Sequence, residues 1–197
     1  VGIPLYYADY LRGEAYLNKG DYLNSITAYR WFLTHQTGQN YIKDAHFKIA
    51  LCYWLNGNQN DAIALFREAR NKGKEATEAD KSAAHSLAEK ELPNVKLSRI
   101  RYLTDGGYYP EAKAVLATIT SMDLPALRDQ VEYYYRKARL AHKASEPGAI
   151  NDYLETISMS GLEPWYFAPN ACLQLGYIYQ SQNKFKEAED YFKRALS

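Results

Sequence analysis

Apolar and small residues recur along the chain with the spacing of paired helices. In residues 173–196, LQLGYIYQSQNKFKEAEDYFKRAL, the small residue Gly176 is followed by the ring of Tyr179, a second small residue at Ala188 and a second ring at Phe192. Residues three and four positions apart lie on one face of an α-helix, so each half of the segment predicts a helix with one packing face. Small side chains at a crossing let two helices approach closely, while the rings fill the space beside them.

The same spacing between small residues recurs in other parts of the chain. It links the pairs Gly13/Ser25, Ala50/Ala62, Ile100/Ala112 and Gly176/Ala188. In one further unit, the small position of the second helix and the ring position four residues later are either Ile150 and Leu154 or Ala149 and Tyr153. We favour the second pair because it looks more like the other units. Polar, turn-prone stretches separate the halves of the units. The sequence therefore predicts an all-α fold built from helical hairpins.

The residues at these positions resemble the tetratricopeptide repeat. The last unit carries Leu175, Gly176, Tyr179, Phe185, Ala188, Phe192 and Ala195 in the family's positions, and the second carries Ile49, Ala50, Tyr53, Gly57, Ala62, Phe66 and Ala69. The first unit departs at Arg12, where Leu is usual, and the third at Ile100, which is too large for the small position. The resemblance implies a right-handed α-solenoid of about five helix-turn-helix units, whose first helices line the concave surface.

The distance between units predicts roughly one extra helix. The step from Ala50 to Ile100 carries roughly 16 residues more than the usual repeat of about 34. The extra segment is rich in strong helix formers, and Thr77 with Asp80 resembles a helix start. We expect one superhelical domain over 1–197, with units at about 6–39, 43–72, 93–122, 131–160 and 169–197 and an inserted helix at about 75–91. Because no polar capping helix follows the last unit, we expect a segment of a longer protein.

Composition limits the classes of partner. The 24 Lys and Arg residues and 23 Asp and Glu residues give a net charge of +1, which provides no electrostatic reason to expect nucleic acid or an acidic membrane. No apolar run approaches the roughly 20 residues of a membrane span, so membrane insertion is not expected. Cys52 and Cys172 lie in different predicted helices, which indicates buried thiols and no disulfide framework.

The sequence carries no recognisable catalytic or metal-binding motif. The four histidines lie far apart, and neither HExxH nor a paired-cysteine spacing occurs. Gly106-Gly107 reads as a turn, because the Lys-Ser/Thr of a phosphate loop does not follow it. We therefore expect no cofactor, no metal and no enzyme activity.

The family resemblance also implies where a partner would bind. Its register places on the concave face a set of aromatic, apolar and charged residues: Tyr7, Tyr10, Glu14, Asn18, Phe47, Leu51, Trp54, Leu97, Arg101, Tyr135, Arg139, His142, Asn170, Leu173 and Tyr177. Trp54 and the tyrosines are the expected anchors, because large rigid rings dominate the binding energy at interfaces. Arg101 and Arg139 would pair with an acidic group. The expected function is a scaffold that binds a protein or peptide segment in this groove.

Two alternatives to an open groove remain. In the first, much of this surface packs against the inserted helix or a preceding domain. In the second, the array is a structural or regulatory domain of a larger protein. In the second case it would pack internally or form a homo-oligomer through its repeat ends. One class of tetratricopeptide repeat binds the carboxylate tail of a chaperone with a mixture of Lys and apolar residues on this face. That binding is not expected here, because Tyr10, Phe47 and Leu97 stand at those positions. The runs at 40–45, 78–81 and 105–109 resemble uncharacterised bacterial tetratricopeptide proteins.

Overall fold

The computed structural model describes residues 6–89 and 92–196, and the regular structure in these ranges is helical. The chain forms two compact units, Val1–Gly106 and Gly107–Ser197. The division falls inside the predicted third unit, 93–122. The single superhelical domain and its handedness remain predictions.

Unit 1 consists of two helical hairpins and two further helices. Its helices, over the described residues, are α1 (Tyr6–Lys19), α2 (Tyr22–His35), α3 (Ile42–Leu55), α4 (Gln59–Ala69), α5 (Glu78–Ala88) and α6 (Val95–Asp105). The hairpins are α1/α2 and α3/α4, and α2 also packs against α3.

The first hairpin shows why a small residue stands at the helix crossing. A Cβ atom added to Gly13 would lie 2.6 Å from the ring of Tyr29 on α2. Ser25, also on α2, donates a hydrogen bond from its Oγ to the carbonyl oxygen of Gly13 at 2.9 Å. Both Tyr29 and Ser25 are fully buried. The regular spacing along the sequence therefore corresponds to direct contact between two helices.

Helix α5 occupies the segment in which the distance between units indicated an insertion, and it packs against α3 and α4. Thr77 and Asp80 form a capping box at its start, as the sequence predicted. The buried Asp80 carboxylate also accepts hydrogen bonds from the backbone amides of Tyr41 at 2.9 Å and Asp44 at 3.1 Å. Since the N-cap residue Tyr41 provides no side-chain cap of its own, α5 supplies the cap for α3.

Helix α6 packs against α1 and α3, the first helices of both hairpins. The indole Nε1 of Trp54 on α3 donates to the carbonyl oxygen of Pro93 at 2.8 Å. The guanidinium group of Arg99 on α6 donates to the carbonyl oxygen of Leu55. Ile100, the large residue at a usually small position, is fully buried. Helix α6 therefore covers part of the first helices of unit 1.

Unit 2 also contains two hairpins. Its helices, over the described residues, are α7 (Tyr109–Leu116), a 3-10 turn at Ser121–Asp123, α8 (Leu127–Lys143), α9 (Ala149–Ser160), α10 (Phe167–Ser181) and α11 (Phe185–Ala195). The hairpins are α8/α9 and α10/α11, while α7 packs against α8 and α9 against α10.

The packing of α9 distinguishes between the two registers that the sequence allowed. Ala149 and Tyr153 are buried, whereas Leu154 is 38% exposed. The favoured register is therefore the one that faces the core. In the last hairpin, a Cβ atom added to Gly176 would lie 2.4 Å from the ring of Phe192, so the small residue again permits the crossing.

Replacing Gly13 by Ala is expected to destabilise unit 1 by about 1–3 kcal/mol, because the fully buried ring of Tyr29 cannot move aside. Gly176→Ala is the matched comparison and should cost less, because Phe192 is only half buried. Urea unfolding followed by circular dichroism measures both free energies. Equal losses for the two variants would contradict this assignment.

Replacing Asp80 by Ala is expected to destabilise the chain by about 2–4 kcal/mol, because two amides at the start of α3 lose a charged acceptor in a buried place. Asp123→Ala removes the acid of a similar but exposed capping box and should cost about 1 kcal/mol or less. Urea unfolding of the two variants tests the difference. A loss for Asp80→Ala no larger than for Asp123→Ala would show that α5 does not cap α3.

Candidate functional site

Three of the predicted partner-binding residues in unit 1 lie in its core. Tyr10, Leu51 and Leu97 are each at most 4% exposed. Tyr10 packs among other rings, with its centroid 5.5 Å from that of Phe32. A partner cannot touch these side chains in this conformation, so they contribute to the stability of unit 1.

A polar network on the first helices of unit 1 holds a fourth predicted residue, Glu14. Tyr10 donates its hydroxyl hydrogen bond to Asp44 at 2.6 Å, and the ammonium group of Lys48 lies 3.0 Å from the same carboxylate. Glu14 accepts hydrogen bonds from Lys48 and from the hydroxyl of Tyr29. Burial by itself would lower the pKa of Lys48, but Asp44 and Glu14 outweigh burial and raise it. Glu14 is therefore engaged inside the unit.

Further predicted residues of unit 1 also make internal contacts. Trp54 donates to Pro93, and the ring of Phe47 lies 5.8 Å from that of Phe66 on α4. Asn18 is half-buried. These positions pack within the hairpins or against the segment that leads into α6.

Tyr7 and Arg101 are the exposed members of the predicted set in unit 1. The ring of Tyr7 is 45% exposed and lies 4.9 Å from that of Tyr41. Arg101 lies on α6, with its Nε 4.0 Å from the carboxylate of Asp105. Both residues remain accessible, although they are on different helices.

The predicted residues of unit 2 other than Tyr135 are half-buried or exposed. Its first helices, α8 and α10, are neighbours, and Arg139 on α8 donates to the side-chain oxygen of Gln174 on α10 at 2.9 Å. Tyr177 is 52% exposed, and Asn170 and Leu173 are half-buried. These positions on α8 and α10 form what we call the α8/α10 surface, defined by Arg139, His142, Asn170, Leu173, Gln174 and Tyr177.

Two core tyrosines, Tyr135 and Tyr153, lie next to the α8/α10 surface. Tyr135, the remaining predicted residue, is 6% exposed, and its ring centroid lies 5.7 Å from that of Phe167. The Nδ1 atom of His142 lies 3.3 Å from the hydroxyl of the buried Tyr153. Burial lowers the pKa of His142, and the positive charges of Arg139 and Lys143 lower it further.

A buried ion pair lies on α8, next to the start of α10. Arg136 donates to Glu132 from its Nε at 3.0 Å and from its terminal nitrogen at 2.7 Å, and it donates to the hydroxyl of Tyr166 at 2.6 Å. Burial alone would lower the pKa of Arg136, but Glu132 outweighs burial and raises it. The ion pair lies within α8, and the hydrogen bond from Arg136 to Tyr166 is the contact that reaches the start of α10. Removing Glu132 would leave the buried guanidinium group without its charged partner.

The charges of the two helices differ. Helix α8 carries five basic residues and two acidic ones, whereas α10 carries none of either sign. Two of the α8 charges are paired inside the unit, Arg136 with Glu132 and Lys137 with Asp152 on α9, and Arg139 is the charged residue among those that define the α8/α10 surface.

Sequence reasoning missed several residues that the structure brings into these clusters. Lys48 stands four residues after Asp44, Arg136 four after Glu132, and Gln174 four after Asn170. Side chains four positions apart share a helix face, so this spacing was the available signal for both ion pairs. The sequence contained no comparable signal for the contact between Arg139 and Gln174, because it joins two helices.

The described residues contain no group of three or more His, Cys, Asp or Glu that could hold a metal ion. Within 6–89 and 92–196, no helix is both long and apolar enough to cross a membrane. Cys52 and Cys172 are free and buried, as predicted, and burial raises the pKa of Cys52 to about 12. These thiols are therefore poor nucleophiles.

Comparison with protein families agrees with the hairpins and their small-residue crossings. Residues 10–80 match a model of the tetratricopeptide repeat, and residues 169–197 match a second model of the same repeat. This is a tetratricopeptide repeat protein. The first match covers the α1/α2 and α3/α4 hairpins, and the second covers the α10/α11 hairpin. No curated protein and no solved structure matches the chain.

Unit 2 is expected to lose stability as the pH falls below the ordinary histidine pKa of 6.5, because the folded-state pKa of His142 is lower. The unfolded chain then takes up the proton first, which favours unfolding. His142→Gln should show a smaller loss of unfolding free energy between about pH 7 and pH 5.5 than the original chain. Urea unfolding at both pH values measures it.

His85→Gln is the matched control, because it replaces a histidine whose side chain is 83% exposed. If His142→Gln and His85→Gln give the same pH dependence as the original protein, the environment of His142 does not penalise its charge.

Proposed function

We propose that this tetratricopeptide repeat protein is a non-catalytic scaffold that binds a protein segment on the α8/α10 surface. Tetratricopeptide repeats generally mediate protein–protein interaction. The observation that carries the choice of surface is the difference between the units. In unit 1, α6 packs on the first helices, whereas in unit 2 the predicted residues Arg139, His142 and Tyr177 remain half-buried or exposed.

Tyr177 is the aromatic anchor of the proposed surface. Its ring is 52% exposed and is supported by an edge-on contact with Phe192, with ring centroids 5.3 Å apart. A ring that is held in place loses little conformational freedom on binding, and aromatic residues of this kind contribute strongly at interfaces. Trp54, which was the expected anchor in unit 1, instead donates to Pro93 within the unit.

Arg139 supplies the charged contact. Its hydrogen bond to Gln174 holds the guanidinium group between α8 and α10, and this planar group binds carboxylates through two parallel hydrogen bonds. The partner proposed here is therefore a peptide segment with a carboxylate for Arg139 and an apolar side chain beside Tyr177.

Binding is tested on an immobilised array of peptides that vary in sequence and in Asp and Glu content, with the labelled full chain as probe. We expect acidic peptides to be retained, and Tyr177→Ala and Arg139→Gln each to weaken retention about tenfold, because each removes an interface anchor. Affinity should also fall as salt concentration rises.

Two variants in unit 1 serve as controls. Trp31→Ala removes a ring that is 55% exposed, and Arg67→Gln removes an exposed guanidinium group from α4; neither should change retention. If all four variants bind alike, or if no acidic peptide is retained, the α8/α10 surface is not the binding surface.

A further inference from the structure

Two junctions within the chain show how a second helix meets the next first helix. Helix α2 packs against α3 in unit 1, and α9 packs against α10 in unit 2. At the first junction, the thiol of Cys52 on α3 donates to the Oγ of Ser25 on α2 at 3.4 Å. Arg30 on α2 donates to the hydroxyl of Tyr53 on α3 at 2.9 Å. These contacts show which residues of a second helix and of the next first helix meet. Residues of α11 can therefore be aligned with those of α2 and α9, and residues of α1 with those of α3 and α10.

Helix α11 and its C-cap residue Leu196 expose an apolar position that is covered in α2 and α9. Leu196 stands where α2 has Leu33 and α9 has Ile157, and both of those residues pack against a core cluster. Leu196, in contrast, is 90% exposed, and Phe185 on α11 is 64% exposed. A large apolar surface left open on a helix indicates a contact with another molecule or segment.

Helix α1 exposes the face that α3 and α10 use at these junctions. Ala8 and Ala15 stand where α3 has Ala45 and Cys52, but both alanines are exposed whereas Ala45 and Cys52 are buried. Leu11, between them in sequence, is 47% exposed. In register, this face is the counterpart of the exposed face of α11.

Each of the two exposed faces has a charged residue at a position that is apolar at both internal junctions. Glu189 on α11 stands where α2 has Ile26 and α9 has Ile150, and both isoleucines pack in or against a core cluster. The side chain of Glu189 is 63% exposed, and its carboxylate lies 2.6 Å from Lys193 one turn later.

On α1, the charged residue at such a position is basic. Arg12 stands where α3 has Ile49 and α10 has Leu175, both of which are buried. Its side chain is 55% exposed, and it pairs with Asp9 on the same helix. An exposed pair within one helix contributes little to stability, so Arg12 and Glu189 lose little on changing partners.

We propose that α11 of one copy packs against α1 of a second copy, in the way α2 packs against α3, with Glu189 facing Arg12 and Leu196 covered. The complementary signs at equivalent positions identify the occupant as a second copy of this chain. The contact joins two different faces, so it is heterologous and adds copies head to tail. It uses α1 and α11 and does not rest on the function proposed for the α8/α10 surface.

Sedimentation velocity of the full chain over a wide concentration range tests the junction. The average mass of the original protein is expected to rise with concentration. Arg12→Glu and Glu189→Arg, measured separately, should each weaken association about tenfold or more, because two like charges then meet at the junction. An equimolar mixture of the two variants should restore association, because each junction between unlike variants again pairs a carboxylate with a guanidinium group.

Three further variants make the result specific. Leu196→Asp should weaken association without touching the charge pair, and because Leu196 is 90% exposed it leaves the fold intact. Glu187→Arg on α11 and Arg67→Glu on α4 reverse exposed charges outside the proposed contact and should leave association unchanged. Circular dichroism confirms that each variant is folded. A monomeric original protein at every concentration, or a mixture that fails to restore association, would overturn the proposal.

Discussion

The hairpins of this protein depend on how closely two helix backbones can approach. At Gly13 and at Gly176 there is no room for a methyl group, because an aromatic ring of the partner helix occupies the space where a Cβ atom would be. The ring is buried by that approach, and its burial in turn stabilises the pair of helices. The polar contact between Ser25 and the Gly13 carbonyl oxygen belongs to the same crossing, so one contact region combines close packing with a satisfied backbone group.

Around this shared element the two units use their first helices differently. In unit 1, α6 packs on α1 and α3, and Tyr10, Glu14, Asp44 and Lys48 satisfy one another inside the unit. In unit 2, Arg136 pairs with Glu132 on the same helix and donates to Tyr166 at the start of α10, while other side chains of α8 and α10 are half-buried or exposed. The same repeat thus produces a unit with α6 packed on its first helices and a unit in which several polar side chains of α8 and α10 are half-buried or exposed.

The exposed faces of α1 and α11 differ from the internal junctions at Arg12 and Glu189. A charged residue replaces a branched apolar residue on both faces, and the two charges have opposite signs. A charge at such a position keeps the face hydrated and also restricts what packs on it, since an unpaired charge is costly to bury. Repeat ends can therefore carry specificity that internal junctions do not need.

The sequence by itself determined the helical hairpins, the small residues at their crossings and the start of α5, and it favoured one of two possible registers for α9. Each of these depends on side chains a few positions apart, whose spacing along a helix is fixed by its geometry. Only the tertiary structure decided that α6 packs on α1 and α3, that Asp80 caps α3, and that Tyr10, Leu51 and Leu97 are core residues. Those contacts join helices distant in the chain, and the amphipathic pattern of a helix does not specify which neighbour covers its apolar face.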